Sequence, residues 1–193
     1  MSINIHDLLC LYSVPRIGPL KLRALVTHFK SPTAALRATP RELLKVQGID
    51  KNLAVAVARH RGGESFANDQ LRRLNKIGGK IVTLWDKDYP ELLKRIYDPP
   101  ALLFVLGRFE PDDRYALAVV GTRTPSLYGQ KVTETFSSEL SLQGVSIVSG
   151  LARRVDTLAH SATLKSGGRT LAVLGSGLDV PYPPENKKLL ETI

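Results

Sequence analysis

Three short apolar runs in the last third of the chain each end in a turn of small, polar and basic residues. The turns carry Gly121, Thr122 and Arg123; Ser149, Gly150 and Arg153; and Gly175, Ser176 and Gly177. Glycine lets a backbone come close to an oxyanion, and exposed N–H groups stabilise negative charge. A guanidinium beside them can hold a phosphate through two parallel hydrogen bonds. The chemistry on offer is anion binding. Arg123 fits that role or a structural one, bonded to carbonyls of its own loop. Thr122, Thr124 and Ser126 add hydroxyls to the same turn, and Tyr128 either stacks on a base or packs beneath the loop. Asp156 and His160 share a helix face at a spacing of four; they fit an acid–base pair or a hydrogen-bonded unit that fixes a loop.

These turns need strands to present them. The runs beginning at Ala116, Val145 and Thr170 are apolar throughout, as strands buried on both faces must be. Helical stretches over 129–142 and 153–165 separate them. Strand, helix, strand, helix, strand implies right-handed parallel crossovers in a Rossmann-like α/β sheet. Parallel strand ends put their loops along one edge, where open α/β sheets bind ligands. The turn at Ser149 also opens a helix, whose N-terminal partial charge adds to it. Upstream, a basic amphipathic helix over 64–77 stops at Gly78 and Gly79. Strands over 80–85 and 101–106 then flank a short helix over 88–96 and the rigid turn Asp98-Pro99-Pro100.

The first sixty residues read as short helices. Ser31 caps one before Pro32, and Thr39, Pro40 and Glu42 form a capping box. Two turns, Arg16-Ile17-Gly18 and Gly48-Ile49-Asp50, resemble helix-hairpin-helix turns that present N–H groups to a phosphate. Each has lost one of the two glycines, and such degenerate hairpins also serve in packing and in protein contacts. Arg61-Gly62-Gly63 punctuates the chain. The expected division is therefore a helical domain over 1–62 and a Rossmann-like domain over 63–193.

Net charge is +9, from 27 Lys/Arg against 18 Asp/Glu. Residues 1–62 hold ten Lys/Arg against three Asp/Glu, so the excess is concentrated there and suits either a polyanion partner or a solvated basic surface. With 193 residues, the chain has room for one medium domain or two small ones. Cys10, the single cysteine, excludes an intrachain disulfide and fits a reducing cytoplasm. No apolar stretch is long enough to span a bilayer, and the segment from Met1 to Asp7 lacks the features of a signal peptide. GxxxxGK[ST] and GxSxG elements are absent, which removes Walker-type ATP binding and acyl hydrolysis by a nucleophile elbow. Gly175-Ser176-Gly177 is no dinucleotide fingerprint: Val180 occupies the third glycine position, and Pro181, Pro183 and Pro184 force a turn. Four scattered histidines and one cysteine give no metal-ligand spacing. No cofactor is expected.

Several stretches together resemble the DprA family, also called Smf, of DNA-processing proteins in bacterial transformation. They are Val119-Val120-Gly121-Thr122-Arg123 with Tyr128-Gly129, Ile147 through Arg153 with Asp156 and His160, and Ala172 through Asp179 with Tyr182-Pro183 and Glu185-Asn186. Asp88-Tyr89-Pro90 and Asp98-Pro99-Pro100 match as well. The resemblance is close over residues 80–190 and loose before them. It implies a small helical, SAM-like or helix-hairpin-helix-like domain followed by an extended Rossmann-like parallel sheet. It implies non-catalytic binding of single-stranded DNA, delivery of the recombinase RecA onto incoming strands, and a homodimer formed through the Rossmann domain. The position of Arg123 would contact phosphate, with Lys187 or Lys188 assisting. Two departures stand out. Arg154 occupies a family glycine position; it either strains a tight turn, at roughly 1–2 kcal/mol or more, or adds a phosphate contact. Family members also continue past Glu185-Asn186 with further strands and helices, so an incomplete sheet with an uncovered apolar face is expected here.

Two other function classes fit the same residues. One is a nucleotide-binding hydrolase on a related sheet, with Asp156 and His160 as acid and base. The other is an interaction module whose basic helical part meets a protein partner.

Overall fold

The computed structural model describes residues 3–60 and 62–193. Met1, Ser2 and Arg61, on which the leader and boundary readings touch, lie outside the described residues. Compactness divides the chain into Met1–Gly107 and Arg108–Ile193. The division expected at residue 62 thus falls inside the first unit, because Ala67, Ala101 and Leu102 pack into the core of the helices.

The first unit holds α1 (Ile5–Tyr12), α2 (Pro19–Phe29), α3 (Pro32–Arg37), α4 (Pro40–Leu43), α5 (Lys51–Arg59), α6 (Gly63–Lys76), β1 (Lys80–Thr83), α7 (Glu91–Lys94) and β2 (Leu102–Val105). The caps read from the sequence are present. Ser31 Oγ accepts from the Ala34 amide at 3.4 Å, and the Thr39 amide donates to Glu42 Oε2 at 2.8 Å. Leu8, Leu22, Leu25, Leu43 and Leu53 build one core, which Ala67 of α6 and Leu102 of β2 join. β1 and β2 pair antiparallel, Lys80 opposite Val105, as a separate two-stranded sheet. They therefore belong with the helical core and not with the parallel sheet.

The two hairpin turns lean on each other. Arg16 takes φ 72° and Gly48 φ 83°, the left-handed conformation that favours glycine. Arg16 and Asp50 stand where each hairpin has lost a glycine, and their side chains pair across the turns at 2.6 Å. Asp50 also caps α5 by accepting from the Leu53 amide at 2.8 Å.

The second unit contains a 3₁₀ turn (Pro111–Tyr115), β3 (Ala116–Ala118), α8 (Leu127–Leu142), β4 (Ser146–Ser149), α9 (Val155–Lys165), β5 (Thr170–Ala172), a second 3₁₀ turn (Pro184–Asn186) and α10 (Lys187–Leu190). The strands form a parallel sheet in the order β3-β4-β5, with Ala118 opposite Val148 and Ser149 opposite Ala172. Both crossovers step in the same direction, so right-handedness lays α8 and α9 on one face. The two helices pack closely through small side chains: Thr133, Ser137 and Ser141 on α8, and Ala159, Ala162 and Thr163 on α9, are buried. Larger apolar residues of α8, such as Phe136, point to solvent.

Burial of the strands on both faces, expected from their composition, holds for β4 alone. Leu117 in β3 is 45% exposed and Val173, just past β5, 66%. One-sided crossovers cover one face of the sheet and leave the other without a layer among the described residues. Apolar strand composition anticipates a covering layer but cannot supply it. Among the described residues, no helix is long and apolar enough to cross a membrane.

Candidate nucleic-acid interface

The register of β3, β4 and β5 brings the three glycine-bearing turns to one rim. The Val119 amide donates to the Val148 carbonyl at 2.9 Å, and the Val173 amide to the Ser149 carbonyl at 2.9 Å, so adjacent strands stay paired up to the turns.

The β3–α8 turn is open and preorganised. Thr122 Oγ1 accepts from the Thr124 amide at 3.1 Å, and Ser126 Oγ caps α8 by accepting from the Gly129 amide at 3.1 Å. These local bonds shape the backbone without using Arg123. Arg123 is exposed, and among the described residues its guanidinium has no ion pair or hydrogen bond. Tyr128 is 79% exposed, so it does not pack beneath the loop. Gly121 is required by packing: a Cβ there would lie 2.8 Å from Val155 Cγ1 at the start of α9.

The β4–α9 turn is closed by its own chain. Asp156 Oδ2 accepts from the amides of Gly150 and Ala152 at 3.1 and 3.2 Å. A carboxylate thus already sits where an external anion would sit. Gly150 leaves it room, since a Cβ there would stand 2.9 Å from that oxygen. Ser149 is buried and donates its hydroxyl to the Val119 carbonyl at 2.7 Å. Ser149 and the Gly150 amide, expected to face the anion, are therefore committed internally. Asn186 is buried beneath the turn and donates to the Leu151 carbonyl at 2.9 Å and to Thr157 Oγ1 at 2.8 Å. Arg153 pairs through two nitrogens with Glu185, at 2.5 and 3.4 Å, and holds that carboxyl below the usual range. Leu151 and Arg154 take φ 57° and 72°. Arg154 caps α9 at φ 72°, ψ −106°, so the strained turn is real and costs about 1–2 kcal/mol relative to glycine.

His160 is fully buried; its Nδ1 lies 2.7 Å from Thr170 Oγ1, which donates in turn to the Ile147 carbonyl at 2.7 Å. Thr170 has spent its proton, so Nδ1 is the donor in that bond. Burial lowers the His160 pKa from 6.5 to about 4, against the opposing pull of the Asp156 charge and the Ser149 carbonyl. The histidine is therefore neutral at physiological pH and inaccessible to a substrate. Asp156 fixes the β4–α9 loop, and His160 is bound separately to Thr170 at the start of β5, so the two form neither an exposed acid–base pair nor a single hydrogen-bonded unit.

The β5 turn is held by Ser176 Oγ donating to the Val180 carbonyl at 2.9 Å and by the Val180 amide donating to the Gly177 carbonyl at 2.9 Å. A Cβ at Gly175 would meet nothing within 4 Å, so the backbone there is open to approach. Lys187 follows the anchored Asn186 and is exposed at the start of α10. Of the residues expected at the rim, Gly121, Thr122, Arg123, Gly175, Gly177 and Lys187 are presented to solvent. Ser149 is buried, Gly150 and Ser176 are engaged within the fold, and Arg153 is paired. No sequence pattern shows that Glu185 and Asn186 fasten the β4–α9 turn, about 30 residues from their partners. The Glu185-Asn186 motif was visible, but nothing local pointed to its contacts.

At the opposite end of the sheet a different arrangement holds. Asp113 precedes β3 and accepts from Arg169 Nε at 2.6 Å and Nη2 at 2.8 Å, and from Ser146 Oγ at 3.0 Å. Burial pushes the Asp113 carboxyl up, but bonds from Arg169, the Glu110 backbone and Ser146 outweigh it and hold the group below the usual range.

A family model described as DNA recombination-mediator protein A matches residues 80–193, and one described as a SAM-like helix-hairpin-helix tandem matches residues 8–62. The Smf protein of Synechocystis sp. is 36% identical over 187 residues, covering 93% of this chain and 46% of its own length. The DNA processing protein DprA of Streptococcus pneumoniae is 46% identical over 111 residues, covering 58% of this chain and 39% of its own. The chain thus spans less than half the length of these relatives. Among solved structures, the DprA of Streptococcus pneumoniae superposes with a TM-score of 0.74 at 28% identity, over 99% of this chain and 64% of that one. DNA processing protein A from Helicobacter pylori, described for its single-stranded DNA binding mode, superposes with a TM-score of 0.51 at 29% identity, over 60% of this chain and 52% of that one. The parallel sheet is accordingly Rossmann-like.

Proposed function

The chain belongs to the DNA recombination-mediator protein A family, and from that premise we propose that its strand-end rim binds the phosphodiester backbone of single-stranded DNA. The observation that carries this reading is Arg123: an exposed guanidinium, without an internal partner among the described residues, on a turn preshaped by Thr122 and Ser126. Open backbone at Gly175, the exposed Lys187 and the exposed ring of Tyr128 complete a surface that meets phosphates and tolerates any base. The Helicobacter pylori relative is described as binding single-stranded DNA, which supports the same ligand here. The role we assign is non-catalytic and cytoplasmic: protecting strands during natural transformation and passing them to RecA, with a dimer as the working form. A hydrolytic role finds no support, because Asp156 is committed to fixing a loop and His160 is buried against Thr170 of β5.

Binding of a labelled oligo-dT by the full chain, followed as salt is raised, tests the reading. The log–log slope should be about −0.7 for each phosphate neutralised. Replacing Arg123 by Ala should weaken binding several-fold and flatten the slope by about that amount. Unchanged affinity and slope in Arg123→Ala would remove this residue, and the rim with it, from DNA binding.

A further inference from the structure

The β4–α9 turn shows solvent two consecutive arginines, and the fold treats them differently. Arg153 is tied by two nitrogens to Glu185, at 2.5 and 3.4 Å. Arg154 is exposed, and among the described residues its guanidinium has no ion pair or hydrogen bond. Its backbone sits at φ 72°, ψ −106°, where glycine is favoured.

The surroundings impose that conformation. Asp156 grips the amides of Gly150 and Ala152 from inside, and Asn186 grips the Leu151 carbonyl. The turn is held whatever residue stands at 154. Compared with glycine, arginine there gains no packing, since the side chain is exposed. What it adds is one positive charge at the rim, at a cost to stability. Strained non-glycine residues persist where function repays the strain. A phosphate approaching this turn meets two amides already occupied by Asp156 and a first arginine already neutralised by Glu185. Arg154 is the cation of the turn left to receive it.

We propose that Arg154 binds a DNA backbone phosphate at the rim, and that Arg153 serves as the structural partner of Glu185. The proposal rests on the single-stranded DNA reading above, adding a contact on the β4–α9 turn to that of Arg123 on the β3–α8 turn. It makes two readouts move in opposite directions. Arg154→Gly should raise the melting temperature by about 2–6 °C. The same substitution should weaken oligo-dT binding about 3–10-fold near 0.1 M salt and reduce the salt slope by about 0.7. Arg154→Lys keeps the charge and should stay within about twofold of the wild-type affinity, with an unchanged slope. Arg153→Ala should lower the melting temperature and leave the slope alone. Equal affinity and slope in Arg154→Gly and wild type, while Arg123→Ala still loses binding, overturns this inference alone. So does a loss in Arg154→Lys as large as in Arg154→Gly, or a slope that falls in Arg153→Ala instead. Equal binding by wild type and Arg123→Ala sinks the rim reading, and this inference falls with it.

Discussion

Arg169 precedes β5 and Arg123 follows β3, at opposite ends of one parallel sheet. At the amino end, the Asp113 carboxylate is 11% exposed, and its pairing with Arg169 joins the chain before β3 to the chain before β5. Ser146 of β4 donates to the same carboxylate, so one acid serves all three strands. At the carboxyl end the acids are used locally: Asp156 closes one turn and Glu185 engages one arginine, while Arg123 and Arg154 keep guanidinium groups that are free among the described residues. The Arg169 guanidinium at the amino end ties strands together; at the carboxyl end two guanidinium groups carry no internal partner among the described residues. The role of an arginine in this molecule is therefore read from its partner rather than from its position near a strand.

The sharpest way to break this contrast is to remove the acid of the closed end. Asp113→Ala leaves a partly buried guanidinium unpaired and should cost about 3 kcal/mol in urea denaturation. The salt slope of DNA binding by the folded fraction should not change. A loss below about 0.5 kcal/mol would mean that the amino end is held by packing alone.

Acid titration should show an effect of about 3 kcal/mol from the buried imidazole of α9. Neutral burial depresses the folded pKa of His160 to about 4 from its ordinary 6.5. Its contribution is complete above pH 6.5 and is lost as the pH falls toward 4, because the unfolded chain takes up the proton first. His160→Asn should lack this part of the stability profile. A variant whose stability falls as steeply over the same range would place the acid sensitivity elsewhere.

The smallest of these effects concerns the internal anion. Asp156→Ala strips the amides of Gly150 and Ala152 of their acceptor and should cost about 1–2 kcal/mol. Added sulfate should restore part of that loss, by filling the emptied cradle. Absence of any sulfate effect on the melting temperature of Asp156→Ala, compared with wild type, would show that the turn collapses once the carboxylate is gone.

Much of the architecture was legible because it depends on local chemistry. The capping residues Ser31 and Thr39, the three parallel strands and the two crossover helices all lie within a few residues of where composition and periodicity put them. Contacts between distant residues were harder. β1 and β2 read as part of the Rossmann-like half, yet Ala101 and Leu102 bury themselves in the helical core. Arg153 has the residue type and position of a phosphate ligand, whereas the fold pairs it with Glu185. Strand composition suggested two covered faces, whereas the strand order left Leu117 and Val173 exposed.

Residue types and their spacing were enough to establish a parallel α/β sheet, a helical module ahead of it and a rim rich in glycine and arginine. Each of those arises from short-range forces: backbone sterics, capping and the period of apolar side chains. Which guanidinium groups remain available, which amides are already occupied and which backbone positions are strained emerged only once the chain had folded. Those properties depend on groups brought together across tens of residues, and no local pattern encodes their distances.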